Sequence, residues 1–175
     1  MCAEDKKTAV IRLAGVVRES IVDGPGLRFT VFCQGCPHAC PSCHNKETWD
    51  FAGGFDCDIE KILTEIDKNP LLSGVTFSGG DPFCQPEAFA ALAREIKKRP
   101  KLDIVSYTGY VYEKLTEMGK TRPAIAELLA LCDYLVDGPY VAAQRDLTLQ
   151  FRGSTNQRFI DLKATREAGK VIEKY

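Results

Sequence analysis

A strand followed by a helix recurs along most of this chain, and that alternation limits its fold more than any other feature. Arg28 to Phe32, Val75 to Phe77, Leu102 to Tyr107 and Tyr134 to Val136 are short β-branched or aromatic runs that read as strands. Between them lie helical patterns. Ile59, Ile62, Leu63 and Ile66 fall at i, i+3, i+4 and i+7, with Asp58 at the N-cap position and Pro70 beyond the end. Pro86 opens a second helix whose inward face is Phe89, Leu92, Ala93 and Ile96. Shorter helices are predicted near Val111 to Glu117 and from Pro123 to Leu131. Phe159 to Leu162 is a further candidate strand, and Ala164 to Lys174 a candidate terminal helix. Such alternation predicts an α/β fold with a parallel sheet and right-handed crossovers. Such sheets collect their chemistry at the carboxyl ends of the strands. The segments that follow the four strands are therefore expected on one rim.

The first of those segments carries the densest chemistry. Cys33, Cys36, Cys40 and Cys43 lie within eleven residues. The last three have the spacing C-x3-C-x2-C and put three thiolates on one short loop. Three readings stand open. A zinc site could use all four, although structural zinc sites space their cysteine pairs more widely. A closed cubane cluster would also take four. An open cluster would take three and leave one iron free for a small molecule. The second segment, Ser78-Gly79-Gly80-Asp81-Pro82, brings the backbone close to a ligand and adds a carboxylate. It suits an ammonium group better than a phosphate, whose loops favour lysine or helix N-terminal amides. It also reads as a tight turn capped by Asp81.

Composition narrows the class. With 175 residues, the chain is expected to form a single domain over 1–175, with residues 1–10 a flexible segment. The balance of 23 basic and 24 acidic residues gives no reason to expect nucleic acid or a membrane surface as partner. The polar start lacks the apolar core of a signal peptide, and no apolar run approaches the roughly 20 residues of a spanning helix. A cytoplasmic location is expected, with the eight cysteines kept reduced. Cys2, Cys57, Cys84 and Cys132 read as bystanders.

The combination of Cys36-x3-Cys40-x2-Cys43 with Gly79-Gly80-Asp81-Pro82 is similar to that of the radical S-adenosylmethionine enzymes. More closely, the chain resembles the activating proteins of anaerobic ribonucleoside-triphosphate reductase, which are glycyl-radical enzyme activases. The likeness extends over Ser20 to Arg28, Cys43 to Trp49, Tyr107 to Tyr110, Leu135 to Gly138 and Arg152 to Arg158. The resemblance implies an incomplete (β/α) barrel of the radical S-adenosylmethionine type. It implies a [4Fe–4S] cluster on Cys36, Cys40 and Cys43, and S-adenosylmethionine as the second cofactor. Catalysis is then cofactor-based: one-electron cleavage yields a 5′-deoxyadenosyl radical that takes hydrogen from a glycine of the reductase. No catalytic acid or base is required. The implied partners are the reductase and a one-electron donor such as flavodoxin or ferredoxin.

Site roles follow by position from the same resemblance. Gly79, Gly80 and Asp81 receive the methionyl ammonium, and Ser42, Cys43 and His44 pass near the adenine. Many members of the superfamily place an aromatic residue where Ser42 stands. Thr108 and Asp137 are candidates for the ribose, the methionine moiety or a nearby cation, with simple turn roles as the alternative. Arg152 or Arg158 is a candidate for the methionyl carboxylate or for a surface ion pair. His38, between two of the cysteines, reads as a solvent-facing loop residue, with tuning of the cluster as the alternative, and Trp49 and Phe51 read as packing over the loop. A radical enzyme of the same fold acting on a small molecule, as the deazapurine-forming members do, is one alternative. A non-catalytic iron–sulfur or zinc module is the other.

Overall fold

A computed structural model of the chain describes residues 9–175. Seven strands form one mixed sheet: β1 (Val10–Ser20), β2 (Arg28–Cys33), β3 (Phe55–Asp58), β4 (Gly74–Gly79), β5 (Asp103–Tyr107), β6 (Tyr134–Asp137) and β7 (Arg158–Asp161). Their spatial order is β3-β1-β2-β4-β5-β6-β7. The central β2, β4, β5 and β6 run parallel, whereas β1, β3 and β7 are antiparallel additions at the two edges. The α/β class and the four parallel strands agree with the sequence pattern.

Five helices accompany them: α1 (Ile59–Asp67), α2 (Pro86–Lys97), α3 (Tyr112–Gly119), α4 (Pro123–Leu131) and α5 (Leu162–Ala168). α1 packs on α2, α2 on α4 and α4 on α3. The predicted apolar stripes are the buried ones, Ile59, Ile62, Leu63 and Ile66 in α1 and Phe89, Leu92, Ala93 and Ile96 in α2. They meet Phe29, Val31, Val75, Phe77 and Ile104 from alternate positions of the central strands. Each such Leu, Ile or Phe contributes about 1.5–3 kcal/mol relative to an exposed position. Asp58 occupies the N-cap of α1 without a side-chain cap bond.

Three elements differ from expectation. β1 and β3 pair where no strands were predicted. The expected flexible segment 1–10 falls mostly outside the described residues, while Val10 already pairs with Asp58 in the sheet. The terminal helix covers Leu162–Ala168 rather than Ala164 to Lys174, because Gly169 takes a left-handed conformation and caps it. The chain then turns back, and Glu173 bridges to Ile160.

The second face of the sheet is more polar. Arg28 is fully buried there. Its Nε donates to Thr76 Oγ1 (2.6 Å), and its Nη atoms donate to the carbonyls of Pro25 (3.0 Å) and Val75 (2.9 Å). An ion pair with Asp103 at 2.7 Å completes the set. Thr76 Oγ1 in turn donates to the Asp23 carbonyl at 2.7 Å. Segment 21–27 is thereby fastened across the middle of β4. Toward β7, the rings of Phe151, Phe159 and Tyr175 pack with centroids 5.0–5.8 Å apart. Among the described residues, no helix is long and apolar enough to cross a membrane.

Replacing Arg28 by Met is expected to lower the unfolding free energy by about 3 kcal/mol, since it orphans buried acceptors and a carboxylate. Arg28→Lys is expected to recover less than half of that loss, because an ammonium cannot reproduce the planar fork. Urea unfolding of the three proteins checks both.

Candidate metal and nucleoside site

The carboxyl ends of β2, β4, β5 and β6 do meet, and backbone hydrogen bonds sew their turns together. Gly80 N–H donates to the Cys33 carbonyl (2.8 Å), and Asp81 N–H to the Gly35 carbonyl (2.9 Å). Thr108 N–H donates to the Val136 carbonyl (2.9 Å), and Gly138 N–H to that of Tyr110 (3.0 Å). The close approach requires glycine. A Cβ on Gly80 would stand 2.3 Å from the Gly35 carbonyl oxygen.

The cysteine loop leaves β2 through Gln34 and Gly35. Gln34 is buried, and its amide nitrogen donates to the carbonyls of Glu47 (3.0 Å) and Asp50 (2.7 Å). Those bonds hold the returning limb of the loop against its start. Gly35 and Cys36 donate to the carbonyls of Thr48 and Trp49 at 2.8 and 3.2 Å. Phe51 lies over Gly35, as the sequence suggests. Cys36, Cys40 and Cys43 are all free and half-buried. Ala39 and Ser42 adopt left-handed backbone conformations (φ 46° and 63°), uncommon for residues with a Cβ.

Burial pushes the Cys36 thiol up to about 11, a His38 backbone hydrogen bond works against this, and Asp81, Cys40 and Cys43 add to it. Cys33 is different. It is fully buried among the apolar residues of the helix-facing side, and that burial raises its thiol well above the ordinary range. Cys84 also comes near, half-buried and pushed up to about 12 by burial and then by Asp81. Among the described residues, no three His, Cys, Asp or Glu groups are gathered to hold a single metal ion.

Asp81 is the centre of the rim. It is fully buried. Its Oδ1 accepts from Phe83 N–H (3.0 Å). Its Oδ2 accepts from Thr108 Oγ1 (2.9 Å) and Gly109 N–H (3.0 Å), and His38 Nε2 lies 2.7 Å away. His38 is therefore not the solvent-facing residue the sequence suggests; its ring is also 4.5 Å from that of Tyr110, edge to face.

The other candidates divide. Asp137, fully buried, accepts from Tyr112 N–H at 2.7 Å and takes both Nε (3.0 Å) and Nη2 of Arg158. Arg158 also reaches Glu113 at 2.8 Å, so its guanidinium is held even more firmly protonated by Asp137 and then Glu113. Its fork is thus occupied by the protein itself. Arg152 lines a cavity of about 620 Å³ with His44, Tyr107, Asp23 and Phe151. One of its Nη atoms is 3.3 Å from the Gln157 carbonyl, and its buried Nε has no protein partner. His44 is exposed and stands edge-on to Tyr140 at 6.0 Å. The structure thus joins Cys36, Gly79, Gly80, Asp81 and Thr108 at one point of the rim, and His44 with Arg152 at a neighbouring cavity. Gln34 and Gln85 carried no signal in the sequence. Gln85 clamps β1 to the rim through the Arg12 N–H and carbonyl and the Gln34 carbonyl, all at 2.9 Å.

A family model described as a 4Fe-4S single cluster domain matches residues 22–160. The anaerobic ribonucleoside-triphosphate reductase-activating protein of Salmonella typhimurium is 38% identical over 144 residues, covering 78% of this chain and 90% of the relative. The protein of that name from Haemophilus influenzae is 37% identical, covering 78% and 89%. That of Enterobacteria phage T4 is 33% identical, covering 78% and 85%. The crystal structure of QueE from Escherichia coli aligns with a TM-score of 0.45 at 17% identity, over 57% of this chain and 53% of that one, too loose a likeness to argue from.

Two outcomes are expected. Gly80→Ala should cost about 2–3 kcal/mol by overpacking against backbone and should reduce iron uptake on reconstitution, read by unfolding and by iron content. In the metal-free protein, the folded state holds the Cys36 proton more tightly than the unfolded chain does. Its neutral thiol therefore contributes stability that is lost as pH rises from 9.0 toward about 11. Iodoacetamide at pH 8.5 should accordingly modify Cys36 more slowly in the folded than in the urea-unfolded protein, with mass spectrometry locating the adduct.

Proposed function

The chain belongs to the family of anaerobic ribonucleoside-triphosphate reductase-activating proteins, and on that premise we propose that it is a radical S-adenosylmethionine activase. Its substrate in this reading is a glycine of the anaerobic reductase, on which it installs the stable radical. One observation carries the proposal beyond family membership. Three free thiols on the loop after β2 are tied by two backbone hydrogen bonds to a Gly-Gly-Asp turn after β4.

The donor set fits a cubane cluster. Cys36, Cys40 and Cys43 would hold it, and three thiolates leave one iron corner unligated by protein. Cys33 does not join them, because its thiol belongs to the core. Bound there, a [4Fe–4S] cluster and S-adenosylmethionine would supply the radical chemistry, with the electron coming from an external one-electron donor. The remaining work falls to side chains and backbone of this chain. Gly79 and Gly80 present main-chain acceptors suited to an ammonium. Asp81 orients that turn from behind and adds a negative charge at short range. Ser42, Cys43 and His44 flank the nucleoside, and Arg152, with an unpartnered Nε and a 3.9 Å ion pair to Glu173, is a cation for the carboxylate. Thr108 and Asp137 act in this reading through the groups they hold, Asp81 and Arg158.

The same proposal includes curvature of the sheet into an incomplete barrel whose open rim admits a loop of the reductase. It includes a flavodoxin or ferredoxin as one-electron donor, and a cytoplasmic location, where thiols stay reduced.

Anaerobic reconstitution with iron, sulfide and reductant, followed by S-adenosylmethionine and purified reductase, tests the reading. Expected are 5′-deoxyadenosine and a glycyl radical signal in the reductase. Cys36→Ala should abolish both, and Cys33→Ala should largely spare them; the reverse would reassign the ligands. Cleavage without a protein radical would point to a small-molecule substrate. Neither product, with stoichiometric zinc, would leave only a binding module.

A further inference from the structure

His38 occupies the middle of the cysteine loop, two residues from Cys36 and two from Cys40. It is held on three sides. Nε2 is 2.7 Å from Asp81 Oδ2, the Tyr110 ring stands edge to face at 4.5 Å, and Gly109 lies against the imidazole. A Cβ on Gly109 would be 2.3 Å from His38 Cδ2, so the absence of a side chain at 109 is what makes room for the ring. An ionised carboxylate only accepts, so the ring nitrogen facing Asp81 Oδ2 is the donor. The next residue, Ala39, holds a left-handed conformation, and strain of this kind persists only where the surroundings over-determine it.

We propose that His38 is a positioning residue that couples the cluster loop to the nucleoside-binding turn. Through Asp81 it ties the segment between two cluster ligands to Gly79-Gly80 and to Thr108-Gly109. The loop that holds iron and the turn that receives the amino acid end of the nucleoside then move as one body. This rests on the activase reading of the site. The coupling has a stated consequence: without His38 the three cysteines remain, but the turn and the loop lose their mutual register.

The test uses His38→Ala and His38→Gln, the second retaining a side-chain N–H donor. Both proteins are reconstituted anaerobically. Iron content, S-adenosylmethionine affinity and the change in the reduced cluster's electron paramagnetic resonance spectrum on adding the nucleoside are measured. His38→Ala is expected to keep iron close to wild type while binding S-adenosylmethionine about tenfold or more weakly, the loss of a charge-assisted hydrogen bond. His38→Gln is expected to recover most of that affinity and the wild-type spectral change. In metal-free protein, thermal midpoints of His38→Ala, Asp81→Asn and the double variant are expected to be non-additive. Wild-type affinity in His38→Ala, no recovery in His38→Gln, or additive midpoints would each overturn the inference. So would loss of iron in both variants, which would make His38 part of the loop's own folding. A wild-type protein that takes up iron but does not bind S-adenosylmethionine would sink the activase reading and this inference with it. An indifferent His38→Ala sinks this inference alone.

Discussion

One buried carboxylate organises the working end of this protein. Asp81 has no exposed surface, yet donors from three separate segments surround it: Phe83 from its own turn, Thr108 and Gly109 from the turn after β5, and His38 from the cysteine loop. An isolated buried carboxylate would cost several kcal/mol. Four donors, one on Oδ1 and three on Oδ2, match the roughly four acceptor sites of a carboxylate. The arrangement is cooperative for that reason. Withdraw one segment and the charge is left under-solvated, so the other two lose the partner that fixes them. The glycines at 80 and 109 follow from the same requirement, because both allow neighbouring segments to approach closer than a Cβ permits.

Arginine hubs fasten further segments to the sheet. Arg28 ties segment 21–27 to β4 and β5, and Arg158 ties Asp137 to Glu113. The helix-covered face contains the large apolar cluster and can be stable on area alone. Apolar burial makes the sheet compact, and directional hydrogen bonds make the loops above it unique. That uniqueness is what binding and orientation of a cofactor ask of a polypeptide.

The parts legible in the sequence are those with a local pattern. The stripe Ile59, Ile62, Leu63 and Ile66 identifies α1, and Phe89, Leu92, Ala93 and Ile96 identify α2. The cysteine spacing and the Gly-Gly-Asp turn are equally local. β1 is not. Ile11 and Leu13 alternate with Val10 and Arg12 for only four residues, after which Arg18 and Glu19 are exposed. Pairing with β2 on one side and β3 on the other makes it a strand. β3 reads Phe-Asp-Cys-Asp, with no residue fully buried, and exists only as the partner of β1. His38 belongs to the same class. Nothing beside it in the chain foretells Asp81, which lies 43 residues away. Arg158 likewise stayed open between a ligand carboxylate and an ion pair, because Asp137 and Glu113, 21 and 45 residues distant, could not be placed against it.

Of the cysteines near the rim, Cys33 is set apart from the loop thiols by burial. Iron requires thiolate, and a low-dielectric surrounding disfavours it. Cys36 is raised to about 11 and lies on an open loop beside Cys40 and Cys43, where a metal charge can remove its proton. Cys84 is pushed further, to about 12, with Asp81 opposing ionisation after burial itself. Cys33, wholly enclosed, is raised as well, by burial first and then by Asp81. Burial is the leading cause in all three, and only Cys33 among them is enclosed completely. Asp81, the carboxylate that locks the rim, opposes ionisation of Cys36, Cys33 and Cys84 alike, so all three thiols are favoured in the neutral form until a metal charge arrives.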